Sequence, residues 1–376
     1  MNPRTIYLDN NATTATDPRV IASMVEVMRL GATNASSVHS LGQRASGLLS
    51  DARRTICGYL DVKPRELLFT SGGTEGANFF IRGFCAGEQQ GHIISSELEH
   101  SAVYKTIQAM EKAGWNVTYV PVEETGAPSI EAIEEAVRPE TKLIALMAVN
   151  NETGVKTDVA AIAGLASVRN IAFFVDGVAW LGKESLYLPA GVTAATFSAH
   201  KFHGPLGVGL LILRQVIPSM VTGGGQEFGR RGGTENLPGI VGMAKAIELL
   251  TEELPAATQT MAKLRDQFEE KIRSKCEGVE INGSGPRICN TSNLAFTGVD
   301  GESLLIALDQ AGIAASHGSA CSSGALEPSR ILLKMGLPLE RAHGSVRFSL
   351  SRLTTEEEIE RAAEIVCKEV AKLTVA

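Results

Sequence analysis

Apolar positions along the chain fall into two alternating patterns. Residues 17–30, 100–113 and 129–137 place them three and four apart, the spacing that lines one face of a helix. Between and after these lie short, nearly unbroken apolar runs at 93–94, 117–120, 143–149, 171–176 and 208–213. Such runs are the length of a strand and too short to cross a bilayer. Their alternation with helical segments predicts βαβ units around a mostly parallel sheet, because a strand buried on both faces has no polar side to show. From about Pro238 the pattern changes. Long polar helices to about Cys276 precede strands at 279–282, 293–296 and 345–350, and a last helix covers 355–373. The expected organisation is an N-terminal arm over 1–15, a large α/β domain over 16–255 and a smaller α+β domain over 256–376, with the arm packing near the small domain. No internal repeat or low-complexity segment is visible.

Composition narrows the picture only slightly. A chain of 376 residues with 44% hydrophobic content can bury a large core. A formal net charge of −7 argues against nucleic acid as the main partner. No basic stretch followed by an apolar one opens the chain, so neither secretion nor membrane insertion is expected, and the cytoplasm is the expected location. The six cysteines show no CxxC spacing and suggest neither a zinc site nor a disulfide framework. Cys57, Cys85, Cys276, Cys289 and Cys367 sit in apolar or helical surroundings and read as small core residues. Cys321 sits instead in Ser319-Ala320-Cys321-Ser322-Ser323-Gly324, a run of small residues that suits an exposed thiol.

Three segments carry candidate chemistry. In Thr196-Phe197-Ser198-Ala199-His200-Lys201-Phe202-His203-Gly204-Pro205, Lys201 is the one lysine, arginine or carboxylate between residues 192 and 213. A lysine so isolated after a strand can lose solvation and act as a Schiff-base amine, although one that merely solvates a turn would read the same. The run Ile171-Ala172-Phe173-Phe174-Val175-Asp176 ends in a carboxylate, and the carboxyl ends of parallel strands are where open α/β sheets bind ligands. A pyridoxal 5'-phosphate enzyme needs such an acid beside the ring nitrogen and such a lysine for the aldehyde. Asp176 could equally cap a turn. Residues 67–78 pass from a strand through Gly72-Gly73-Thr74 into a helix, so backbone N–H groups and the Thr74 hydroxyl could surround a phosphate, or simply make an ordinary βα connection.

Taken in order, these blocks resemble the cysteine desulfurases of the NifS/IscS-like group, class-V aminotransferases of pyridoxal phosphate fold type I. The likeness runs from Tyr7-Leu8-Asp9-Asn10-Asn11-Ala12-Thr13-Thr14 through Val149-Asn150-Asn151-Glu152-Thr153-Gly154-Val155 and Arg231-Gly232-Gly233-Thr234 to Ser345-Val346-Arg347-Phe348-Ser349. It implies an α/β fold with a mostly parallel central sheet and a smaller α+β C-terminal domain. It also implies roles. Lys201 would bond the cofactor, Asp176 pair with its ring nitrogen, and His100 stack on the ring and assist proton transfer. Gly73, Thr74, Ser198 and His200 would bind the phosphate, with Thr234 reaching the partner's site in a homodimer. Asn151 would lie near the ring oxygen or the substrate carboxylate, which Arg347 would clamp. The residues themselves agree for Arg347, since alternation over 346–351 puts its guanidinium on the polar face of a strand, where its planar fork can bind a carboxylate. An exposed strand arginine would give the same pattern, and His100 beside Glu99 could be a plain helix start.

The resemblance further implies that L-cysteine is the substrate, that Cys321 takes its sulfur as a persulfide, and that a sulfur-acceptor protein such as an iron–sulfur scaffold receives it. A selenocysteine lyase, an aminotransferase of the same fold, or a weakly active sulfur-relay partner are the alternatives. Two departures stand out. The family's Asp-x-x-Gln reads Asp176-Gly177-Val178-Ala179 here, which removes an amide donor to the cofactor's ring oxygen, and Asn151 is the expected partial substitute ahead of the Trp180 indole. The sequence also ends at Ala376, before the longer tail that some members use to dock an iron–sulfur scaffold, which leaves the destination of the sulfur open.

Overall fold

The structure is a computed structural model and describes residues 5–32, 34–122, 124–318 and 328–374. In chain order the strands are β1 (Ile6–Tyr7), β2 (Leu67–Thr70), β3 (His92–Ser96), β4 (Asn116–Val120), β5 (Thr141–Met147), β6 (Ala172–Asp176), β7 (Ala194–Ser198), β8 (Gly209–Leu213), β9 (Val279–Ile281), β10 (Thr291–Phe296), β11 (Ile313–Ala314) and β12 (Ser345–Ser349). Strands β2 to β8 form one sheet in the order β2-β8-β7-β6-β5-β3-β4. Its pairings are parallel except for those of β8, which runs antiparallel to both β7 and β2. The connection from β7 to β8 spans too few residues for a crossover helix, so β8 returns beside its predecessor.

Alternate residues of the central strands serve different faces, which explains the unbroken apolar runs. Phe173 and Val175 of β6 face one core with Phe197, Leu210 and Ile212, while Phe174 between them faces another with Phe79, Phe80 and Leu211. Helix Gly73–Gly87 lies close on β7 because residue 76 is glycine; a Cβ there would sit 2.0 Å from Thr196 Oγ1. The start of that helix is thereby brought beside the end of β7.

The long polar helices expected up to Cys276 are a single helix, Leu237–Lys275, with Pro255 inside it. Proline removes one N–H donor and normally breaks a helix. Here packing on both sides of the proline holds the axis together. Leu249, Leu250, Leu254 and Met261 join the core of the central sheet, whereas Leu264, Phe268 and Ile272 join a second core with Phe348, whose ring lies 5.0 Å from that of Phe268. The boundary expected after residue 255 falls inside this helix.

The second core covers an antiparallel sheet, β12-β10-β9. The N-terminal strand pairs in parallel with β11, and Asp9 bridges to Ser349. Residues 9–12 thus run between the C-terminal sheet and the end of β7. Among the described residues no helix is long and apolar enough to cross a membrane, and no cluster of histidine, cysteine and carboxylate side chains could hold a metal ion.

Candidate active site

One pocket opens at the carboxyl ends of the parallel strands, where this sheet type exposes strand ends and helix starts together. Gly73, Thr74, His100, Asn151, Asp176, Ser198, His200, Lys201 and Arg347 all line it, so nine of the expected residues, scattered over 275 positions, meet in one place. Thr234 does not. It is exposed, in the turn before helix Leu237–Lys275. Cys321 lies outside the described residues; the chain enters that segment at Gly318 and resumes at Pro328-Ser329, where the Ser329 hydroxyl donates to the buried Glu152 carboxylate.

One end of the pocket suits an anion. Helix Gly73–Gly87 has no side-chain cap at Gly72, so its first N–H groups are free to take an acceptor, and Ser198 and His200 stand beside them at the end of β7. Burial pushes the His200 imidazole down to about 4, so it is neutral near pH 7, with Nδ1 3.1 Å from the Thr13 hydroxyl.

Asp176 and His100 form the other end. Asp176 emerges from β6 as expected and is also a turn residue, since its Oδ1 accepts from the Val178 N–H at 3.0 Å. Burial raises its carboxyl above the usual carboxylate range, opposed by His100. A cation brought beside such a carboxylate would restore its ionised form. His100 is indeed a helix start: its Nδ1 accepts from the Ala102 N–H at 3.1 Å, capping helix Ser101–Lys112. Burial lowers its pKa, so the neutral ring keeps its proton on Nε2.

The Lys201 amine donates to the carbonyl of Asn11 and, at 3.0 Å, to that of Ala12. Arg347 is buried at 1% exposure and not solvated, because residues 9–12 cover that face of β12. Its Nη2 pairs with Asp9 Oδ1 at 2.6 Å and its Nη1 donates to the Asn151 carbonyl at 2.9 Å, while Nε has no partner among the described residues. Asn151 Oδ1 is buried and likewise has no partner among the described residues. Ala179 lines the pocket, as does Lys183 four residues later.

The sequence reading missed Asn10, Asn11, Ala12 and Lys183 as lining residues, and Asp9 as the partner of Arg347. Glycine before Lys183 and glutamate after it give that lysine a surface-turn appearance, yet it is 2% exposed.

The family model for class-V aminotransferases matches residues 6–362. The chain belongs to the class-V aminotransferase family, in its NifS/IscS-like cysteine desulfurase group. It is 39% identical over 371 residues to a cysteine desulfurase IscS of Clostridium botulinum, covering 96% of this chain and 94% of that protein. A solved NifS-like protein superposes with a TM-score of 0.91 at 34% identity, covering 98% of this chain and all of that one. SspA, solved in complex with cysteine, matches at 30% identity and a TM-score of 0.83, over 93% of this chain and 100% of its own. The fold is therefore pyridoxal phosphate fold type I, as the residue blocks implied. An uncapped helix start facing a lysine amine and a buried carboxylate across one pocket is a donor set that fits that cofactor.

Proposed function

We propose that this chain is a cysteine desulfurase that converts L-cysteine to L-alanine and passes the sulfur through Cys321. The observation that carries the reading is the meeting of Lys201, Asp176, His100 and the helix start at Gly73 in one pocket. Gly73, Thr74, Ser198 and His200 would hold the phosphate of pyridoxal phosphate, Asp176 its ring nitrogen and Lys201 its aldehyde carbon. Bound there, the cofactor supplies an electron sink for the charge left when an amino acid loses its Cα proton.

The protein's own groups would do the rest. The Lys201 amine would take the Cα proton of the bound substrate, and His100 would hold a second movable proton at Nε2. Arg347 and the unpaired Asn151 Oδ1 orient the substrate carboxylate and amine. Since Asp9 and the Asn151 carbonyl hold the terminal nitrogens of Arg347, an incoming carboxylate would compete with Asp9 or use Nε. The Cys321 thiolate attacks the substrate sulfur: the Cβ–S bond breaks, an S–S bond forms, and the three-carbon fragment leaves as alanine after taking up protons at Cβ and Cα. A thiol that works this way belongs in the reducing cytoplasm. The sulfur would then pass to an acceptor protein, of which an iron–sulfur scaffold is one kind. Alanine made from cysteine without added keto acid is the expected result. Its absence, with transamination on adding a keto acid, would support an aminotransferase instead, and faster turnover of selenocysteine a lyase.

Exposed Thr234, carried by a glycine-rich turn, would complete the phosphate site of a second copy, giving a homodimer whose two sites each need both chains. Diluting the loaded protein until it dissociates should then release the cofactor. A monomer that keeps it would exclude the shared site.

A further inference from the structure

Among the described residues, the buried Lys183 ammonium has no countercharge. Its Nζ donates to the Lys201 carbonyl at 2.8 Å, which commits one of its three N–H bonds, and no carboxylate pairs with it among the described residues. The neighbouring Glu184 turns away to Lys156 and to the Cys289 N–H. The other ionisable groups acting on it are Lys201 and Arg352, of like charge, and the Cys289 thiol, while His200 and His203 feel its charge in turn. Burial, reinforced by the two cations, pushes its pKa down to about 8. A buried cation so placed is costly unless an anion comes to it. The side that is open to an anion is the pocket, which Lys183 lines together with Ala179, a residue whose methyl group offers no donor.

We propose that Lys183 is the counter-cation of the anionic cofactor on the wall where position 179 provides only a methyl group, a binding residue that takes the place of a neutral amide. The inference rests on pyridoxal phosphate being the pocket's occupant. A cation there also sits near Lys201, so it should disfavour protonation of the nitrogen joining lysine and cofactor, and hold that nitrogen's pKa down.

The test is Lys183→Gln, which keeps a donor for the Lys201 carbonyl and removes the charge. Apoprotein would be titrated with pyridoxal phosphate, and the visible absorbance of the loaded protein followed against pH without cysteine. We expect affinity to fall tenfold or more and the spectroscopic pKa to rise, with Lys183→Arg restoring both. Adding Ala179→Gln to Lys183→Gln should recover part of the affinity. Wild-type affinity and titration in Lys183→Gln would overturn the proposal, whereas a wild-type protein that takes up no pyridoxal phosphate would overturn the functional reading beneath it. Should Lys183→Gln fail to fold, Lys183→Arg alone still decides. Wild-type affinity should weaken as pH rises through about 8 relative to the arginine variant, which stays charged. Parallel profiles for the two proteins would sink the idea.

Discussion

Lys201→Ala should fold, lose the visible absorbance of bound cofactor, and turn over cysteine slower than wild type by about a thousandfold or more. Two losses combine in this variant. The amine proposed to anchor the cofactor is gone, and so is the proposed base for the Cα proton. The hydrogen bonds from Lys201 to the Asn11 and Ala12 carbonyls go with it, so the arm over the pocket loosens too. Thermal unfolding separates these effects: cofactor-free wild type and variant should differ by a few degrees at most if the arm is otherwise secured by Asn11 to Thr291 and Asn10 to Ser349. A variant that keeps the absorbance and a tenth of the activity would remove Lys201 from this role.

Cys321→Ser should divide the reaction at a different point. Cofactor uptake and the spectral response to cysteine should match wild type, because the described residues that line the pocket are untouched, while alanine and sulfide production fall by about a hundredfold or more. Mass spectrometry after incubation with cysteine should find one added sulfur atom on wild-type Cys321 and none on the serine variant. Full sulfide release by Cys321→Ser would show that the sulfur leaves by another path.

What the sequence disclosed follows the range of the interactions involved. Asp176 and Lys201 were legible because Asp176 ends one buried apolar strand and Lys201 follows another by three residues, at the strand ends where a polar group can emerge. The uncapped helix start at Gly73 was legible for a similar reason: strand, glycines and helix are consecutive, so the geometry is local. Arg347 was placed on the right face by alternation, but its burial was not foreseeable from β12, since the covering chain is residues 9–12 at the other end of the sequence. Lys183 was hidden by composition. Its Gly-Lys-Glu setting describes a solvated turn, whereas its ammonium meets the Lys201 carbonyl in the turn after β7, which no local pattern announces. The single helix across Pro255 escaped for the opposite reason, because a strong local breaker was overruled by packing into two cores.

The contact between Asp9 and Arg347 joins residues 338 apart. During synthesis at about 5–20 residues per second, Asp9 would wait roughly 20–70 s before Arg347 is made. Throughout that interval the central sheet, its strands complete by residue 213, can form with one wall of the pocket missing. In a nascent chain residues 9–12 would therefore be held by the turn after β7, through the Asn11 and Ala12 carbonyls that accept from Lys201, while Asp9 still lacks Arg347. On the proposed reading, tight cofactor capture would be a late event in the life of each chain, coupled to the arrival of β12, and truncation before that strand should weaken it even with Gly73, Thr74, Ser198 and His200 in place.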